Sequence, residues 1–289
     1  MRWYKVELTC SKANANILEE ILVAIGAISI SMINISKEDI YEPGVGETPL
    51  WEHIKISALF EKNISKQYIK SILKSIPYSN LVIKKLDNQN WVENYKKKFR
   101  PLTFGEKLIV CPSWHEVNYP ENYVIAQIDP GLAFGSGSHE TTDLCLNYLA
   151  NNSLKDLSVM DYGCGSGILA ISSLLLGAKQ AIAIDNDPQA ITATRENAKK
   201  NNVIENLLIC NPKNLSLEKN DLIIANIFTN SLIDLRDHFL NKLKDNGKLV
   251  LSGILASQLD TIIIHYESHI NLLSVKQKNI WCLVEFQKN

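Results

Sequence analysis

The chain has 289 residues, 46% hydrophobic and 21% charged, with 30 Lys+Arg against 31 Asp+Glu and a formal net charge of −1. Such a composition suits two globular domains and excludes wholesale disorder or a collagen-like repeat. The lack of a basic excess argues against a general nucleic-acid binder. The six cysteines form no CxxC pair and the six histidines no HExxH-type spacing, so reduced thiols and no metal site are expected. Met-Arg-Trp-Tyr-Lys-Val-Glu at the N-terminus lacks the apolar centre of a signal peptide. Apolar runs such as Ile168–Leu176 fall short of a span of ~20 residues. A cytoplasmic protein with no membrane contact is expected.

In chain order, Trp3–Thr9 alternates as a strand with Tyr4, Val6 and Leu8 on one face. Asn14–Ile25 places Ile17, Ile21, Leu22 and Ile25 at helical spacing until Gly26 breaks it, and Ala27–Ile35 reads as a strand. After a loop over Glu38–Pro49 come a strand at Trp51–Phe60, a helix at Ser65–Ile76 and a strand at Leu81–Leu86. The order β-α-β-β-α-β is the split-βαβ, ferredoxin-like arrangement, whose helices cover one sheet face. Asn90–Arg100 predicts a helical connector with Trp91, Tyr95 and Phe99 in a stripe. Its Lys96, Lys97, Lys98 and Arg100 fit a solvated helix end better than a phosphate site. Leu102–Cys111 reads as a hairpin.

From there strands alternate with helices, which argues for a parallel sheet covered on both faces. Strands are expected at Ser158–Tyr162, Gln180–Asp185, Asn206–Cys210, Asp221–Asn226 and Lys248–Ser252, with helices such as Ile168–Leu176 and Pro188–Asn201 between them. Leu272–Lys278 and Ile280–Gln287 read as an antiparallel hairpin at the sheet edge. The expected domains are therefore 1–88, ferredoxin-like α+β; 89–101, a helical linker; and 102–289, an α/β domain.

Four segments carry chemistry. In Val159-Met-Asp161-Tyr-Gly163-Cys-Gly165-Ser-Gly167-Ile-Leu169 a strand runs into a glycine turn and a helix begins at once. Glycines let the backbone approach a ligand, and the helix start offers free N–H groups. The spacing is GxGxG rather than the GxGxxG of dinucleotide sites, and the acid before it suits a cationic group better than a pyrophosphate. The next strand ends in Asp185, which can accept both ribose hydroxyls, while Asp187 and Pro188 suit an N-cap and first helical position. Loop and acid together favour an adenosine-containing cofactor. Asn226 closes an apolar strand at the carboxyl edge, either orienting a nucleophile or serving as a turn residue. The fourth segment, Ile128 to Thr142, is rich in Gly and Ser and can cover a ligand. His139 there fits a hydrogen-bonded structural residue better than a base, and Thr142 doubles as a possible N-cap before a helix over Thr142–Leu149.

These motifs resemble class I S-adenosylmethionine-dependent methyltransferases, which share a Rossmann-like seven-stranded sheet. More narrowly, the chain resembles the ribosomal protein L11 methyltransferase (PrmA) family, through Phe134-Gly-Ser-Gly-Ser-His-Glu-Thr-Thr142, Asn90-Trp-Val, Val110-Cys-Pro-Ser-Trp114, Asp161 to Ala170 and Asp185-Asn-Asp-Pro-Gln-Ala190. The resemblance covers nearly the whole chain. It implies S-adenosylmethionine contacts at Thr142, Gly163, Asp185 and Asn226, a loop shaped by Gly165 and Gly167, and Asp161 near the methionine end. It further implies methylation of lysine side chains and the N-terminal amine of L11. For that reaction Asn226, by its side chain or its backbone carbonyl, is expected to accept a hydrogen bond from the amine. The small domain would hold the substrate. A monomer with no direct nucleic-acid contact is expected.

Two departures stand out. Ile227-Phe228-Thr229-Asn230 follows Asn226 where some relatives carry smaller residues, and the third strand of this domain is followed by Asn211 and Asn214 rather than a carboxylate. Enzymes acting on nucleic-acid amino groups favour Asn/Asp-Pro-Pro-aromatic at the position of Asn226, and both prolines are missing here.

Overall fold

The computed structural model describes residues 3–36, 49–86, 99–115, 120–129, 135, 137–214 and 218–289. The chain divides into two compact units, Met1–Lys97 and Lys98–Asn289.

In the first unit β1 (Trp3–Ser11), α1 (Lys12–Ala24), β2 (Ser29–Asn34), β3 (His53–Phe60), α2 (Lys66–Ile72) and β4 (Ser79–Leu86) follow the predicted order. The strands lie side by side as β2-β3-β1-β4, all antiparallel. Alternation sends Val6, Leu8, Ile54 and Ile56 to one face, where Leu18 and Leu22 of α1 and Ile69 of α2 cover them. Glu7, Lys5, Lys55 and Lys84 gather through ion pairs on the other face. The second helix is shorter than predicted. It begins after Ser65, whose hydroxyl takes the Tyr68 N–H at 3.1 Å, and ends at Ile72. The loop Glu38–Pro49 and the connector Asn90–Arg100 lie outside the described residues, except for Pro49, Phe99 and Arg100.

The second unit opens with the expected hairpin, β5 (Leu102–Phe104) against β6 (Leu108–Cys111). An unforeseen strand, β7 (Val124–Gln127), pairs in parallel with β6. The main sheet comprises β8 (Ser158–Tyr162), β9 (Gln180–Ile184), β10 (Leu207–Cys210), β11 (Asn220–Asn226), β12 (Leu243–Leu255), β13 (Asn271–Lys278) and β14 (Trp281–Gln287). Their order is β10-β9-β8-β11-β12-β14-β13, parallel except where β14 runs against both neighbours. The order reverses beside β8, and open α/β sheets bind ligands in the crevice at the carboxyl ends of the strands beside such a switch point, here β8 and β11.

Helices α3 (Glu140–Asn151), α4 (Ile168–Leu175), α5 (Pro188–Lys200), α6 (Thr229–Asp234), α7 (Arg236–Lys242) and α8 (Leu259–Glu267) complete the unit. Met160 and Tyr162 of β8 pack with Leu232, Phe239 and Ile262 on one side of the sheet. Asp161, between them, faces the other. Helices are expected between these strands, but the sequence sets no bounds for the last three: α6 and α7 span one to two turns each, too little for a 3.6-residue period to emerge. The helix predicted from Thr142 starts at Glu140 instead. His139 is its N-cap, because the imidazole Nδ1 accepts the Thr141 N–H at 3.3 Å and closes the first turn earlier. Thr142 is therefore not the cap.

Candidate active site

The glycine turn is built from both ends. Gly163 and Cys164 donate their N–H groups to the Ile184 carbonyl at 2.8 and 2.9 Å, stitching the exit of β8 to that of β9. Gly163, Gly165 and Gly167 have φ of +78°, +53° and +78°, a region costly for a residue with a Cβ. A Cβ on Gly163 would lie 2.3 Å from Ile227 Cγ2, and one on Gly167 would lie 2.6 Å from Thr194 Cγ2. Glycine is thus required twice over, by conformation and by close approach.

Residues of α5 hold the turn from below. Thr194 Oγ1 donates to the Gly165 carbonyl at 3.0 Å and Asn197 Nδ2 to the Ser166 carbonyl at 3.0 Å. Sequence patterning missed both, although two polar residues three apart on the apolar face of a helix are a legible anomaly. Asp185 ties the turn from the side: Oδ2 accepts the Gly165 N–H and Oδ1 the Asp187 N–H, both at 2.9 Å. Asp187 caps α5 as expected, accepting from Gln189 N at 2.8 Å with Pro188 following.

Beneath the turn Asp161 is fully buried. Oδ2 accepts the Ala170 N–H at 3.0 Å, while Oδ1 has no hydrogen-bond partner among the described residues. Burial foremost pushes its carboxyl up to about 7, with the charge of Asp185 adding to the rise and the Ala170 N–H opposing it. A carboxylate with one oxygen unmet in an apolar setting is costly, and a cationic group nearby offsets that cost.

Across the crevice Asn226 Nδ2 reaches Thr142 Oγ1 at 3.3 Å, joining positions 84 residues apart. With Nδ2 so engaged, Oδ1 is left to accept from a donor. Ile227 next to it is clamped: its side chain covers Gly163, and its carbonyl lies 2.3 Å from where a Gly253 Cβ would stand. The clamp fixes the direction in which Asn226 leaves β11 and presents Phe228 half-exposed at the rim.

The structure brings Asp161, Gly163, Gly165, Gly167 and Asp185 into one hydrogen-bonded turn, and sets Thr142 beside Asn226 at the adjoining strand end. Of the Gly/Ser loop, residues 130–134 and 136 lie outside the described set. His139 is hydrogen-bonded to Thr141, in keeping with its structural reading.

A sheet with one reversed strand, a GxGxG turn at its switch point and an acid closing the second strand define a Rossmann-like class I methyltransferase domain. Residues 2–289 match the family "Ribosomal protein L11 methyltransferase (PrmA)". A ribosomal protein L11 methyltransferase of Escherichia coli O8 is 40% identical over 294 residues, covering 100% of both chains. Its namesake from Glaesserella parasuis is 39% identical over 98% of each. Among solved structures, a ribosomal protein L11 methylase from Lactobacillus delbrueckii subsp. bulgaricus matches with a TM-score of 0.59 at 32% identity, over 65% of this chain and 99% of that one.

The chain belongs to the ribosomal protein L11 methyltransferase (PrmA) family. It is an S-adenosylmethionine-dependent protein methyltransferase. The residues present fit that cofactor: a left-handed glycine cradle, an unmet buried carboxylate oxygen for a cationic ligand, and Asp185 at the end of β9.

Proposed function

We propose that this enzyme methylates amino groups, lysine side chains and the N-terminal amine, of large-subunit ribosomal protein L11. The observation that carries the reading is the amide of Asn226 at the crevice, with Nδ2 held by Thr142 and Oδ1 open to an N–H donor. Full-length similarity to relatives named for that substrate supports it.

S-adenosylmethionine supplies an electrophilic methyl carbon on a sulfonium. An amine attacks only with its lone pair free, and removing the proton from a lysine of pKa ~10.4 at pH 7 costs about 4–5 kcal/mol. A partly desolvated pocket lowers that cost by disfavouring the ammonium form. Asn226 Oδ1 accepts a hydrogen bond from the neutral amine and aims its lone pair, which leaves positioning as the chief contribution of the protein. Thr142, Asp161, Gly163, Gly165, Gly167, Asp185 and Asn226 hold the cofactor. Asp161 and Asp185 confine negative charge to the cradle, away from the attacking nitrogen.

The ferredoxin-like unit, expected over 1–88, holds the body of L11, and 89–101 links it to the methyltransferase domain at 102–289. The enzyme acts as a cytoplasmic monomer without direct nucleic-acid contact. Among the described residues no helix is long and apolar enough to cross a membrane. The test is incubation with radiolabelled S-adenosylmethionine and unmethylated ribosomal proteins, followed by mass analysis of the labelled species. Label confined to amino groups of L11 is expected. Label on another protein, on RNA or on a small amine would discard the substrate and keep the reaction.

A further inference from the structure

The first turn of α3 carries Thr142, yet the bond from Asn226 to Thr142 is 3.3 Å, near the long limit for a hydrogen bond. One contact at a single residue does not fix both the rotation and the depth of a helix end. Three other contacts do, and all come from the tight turn between β13 and β14, some 140 residues further along the chain. Lys278 Nζ pairs with Asp143 Oδ2 at 2.8 Å. Asn279 Nδ2 donates to Glu140 Oε1 at 3.2 Å. The Trp281 ring, 7% exposed, meets the His139 ring edge-on at 5.3 Å between centroids. A fourth tie runs underneath, where the Ser252 hydroxyl is shared between the carbonyls of Thr141 and Cys282, each at 3.3 Å.

We propose that this turn is a positioning latch for the cofactor site. Lys278, Asn279 and Trp281 fix the rotation and depth of the first turn of α3, and so set the distance from Thr142 to Asn226. The hairpin is shaped for the task. Lys278 and Trp281 are paired residues, so only Asn279 and Ile280 make the turn, and Asn279 sits at φ +53°, a conformation asparagine tolerates. Its amide then points at α3 rather than into solvent. His139, Glu140 and Asp143, the three residues gripped, all lie within three positions of Thr142. An exposed ion pair alone adds little stability. Its value here lies in geometry, since small misplacements at a reacting site are amplified in rate or affinity.

The inference rests on the reading of Thr142 and Asn226 as cofactor residues. Its test is the double variant K278A/N279G, which removes both polar grips while glycine keeps the positive φ without strain. Binding of S-adenosylhomocysteine, measured by calorimetry without L11, is expected to weaken about fivefold, roughly one lost ion pair and hydrogen bond. KM for S-adenosylmethionine should rise in step while kcat stays within about twofold. Lys278→Arg keeps the pair and should match the parent chain.

Unchanged affinity in the double variant, whatever its melting temperature, overturns the latch, and so does an equal loss in Lys278→Arg. Thr142→Val, tested alongside, reports separately on the assignment of Thr142. Because the binding arm uses no L11, a failure of the chain to methylate L11 does not touch the outcome for the latch.

Discussion

Each unit carries a carboxylate within the first strand of its sheet, and the two are treated in opposite ways. Glu7 on β1 is met by Lys5 and Lys55 at 2.9 Å and by Lys84 at 3.5 Å. Hydrogen bonds from Lys5 and Lys55 hold its carboxyl down at about 2. Asp161 on β8 has one backbone N–H on Oδ2 and nothing on Oδ1 among the described residues, and its carboxyl is pushed up to about 7. The first acid is satisfied by its own domain and serves the sheet. The second is left half-satisfied at the base of the glycine turn, an arrangement that suits a cationic ligand.

That contrast sets the expected order of effects, from the crevice outward. In the proposed mechanism Asn226→Ala removes the group that aims the amine, and kcat should fall about 100-fold, the usual cost of one preorganised transition-state contact. Full turnover with normal cofactor affinity would end the side-chain role of Asn226. Asp161→Asn keeps the shape but not the charge. Calorimetry should find S-adenosylmethionine bound about tenfold more weakly, the size of a lost charged hydrogen bond.

The same variant should behave oppositely in the absence of cofactor. The folded pKa of Asp161, about 7, exceeds its ordinary value of 3.8, so between those values the folded chain keeps a proton that the unfolded chain has released. Stability then falls as pH rises from about 4 to about 7, and Asp161→Asn removes that slope. Cofactor-free Asp161→Asn should melt with the parent chain near pH 4 and above it at pH 8. An identical pH profile for the two proteins would mean that Asp161 is already paired and would break the comparison.

Glu7 should give the smallest effect and the opposite sign. Its pKa is lowered from 4.5 to about 2, so its stabilisation is present above 4.5 and is lost as pH falls toward 2. Glu7→Gln should cost about 1 kcal/mol in denaturant melts at pH 7: Glu7 is buried, but its lysine partners are partly exposed and can turn to water once unpaired. A loss several times larger would show that the buried Glu7 carboxylate anchors the sheet and that its lysines do not recover their hydration.

The legible parts of this molecule are the local ones. Strand β8 follows from the sequence to the residue, because an apolar run ends in Gly163 and the helix pattern of α4 begins without a gap. Asp187 and Pro188 declare themselves as cap and first turn for a similar reason: both signals lie within two positions of the helix they start. His139 as the cap of α3 is not legible. Nearby Thr142 looks the better cap by type, and only the geometry of the turn decides which side chain reaches an N–H. Two short elements also escape, β7 with four residues and α6 with six, since neither is long enough for a period to accumulate.

By itself the sequence determined the class of each fold, the glycine turn after β8 and the acid beneath it, because periodicity, glycine placement and capping act within one or two turns of chain. Tertiary structure alone decided which distant side chains meet. It brought Asn226 to Thr142, set Ile227 between Gly163 and Gly253, laid Thr194 and Asn197 under the turn, and delivered Lys278, Asn279 and Trp281 to the start of α3. Those contacts depend on the order and register of the sheet strands, which are set by the packing of the whole domain rather than by any one segment.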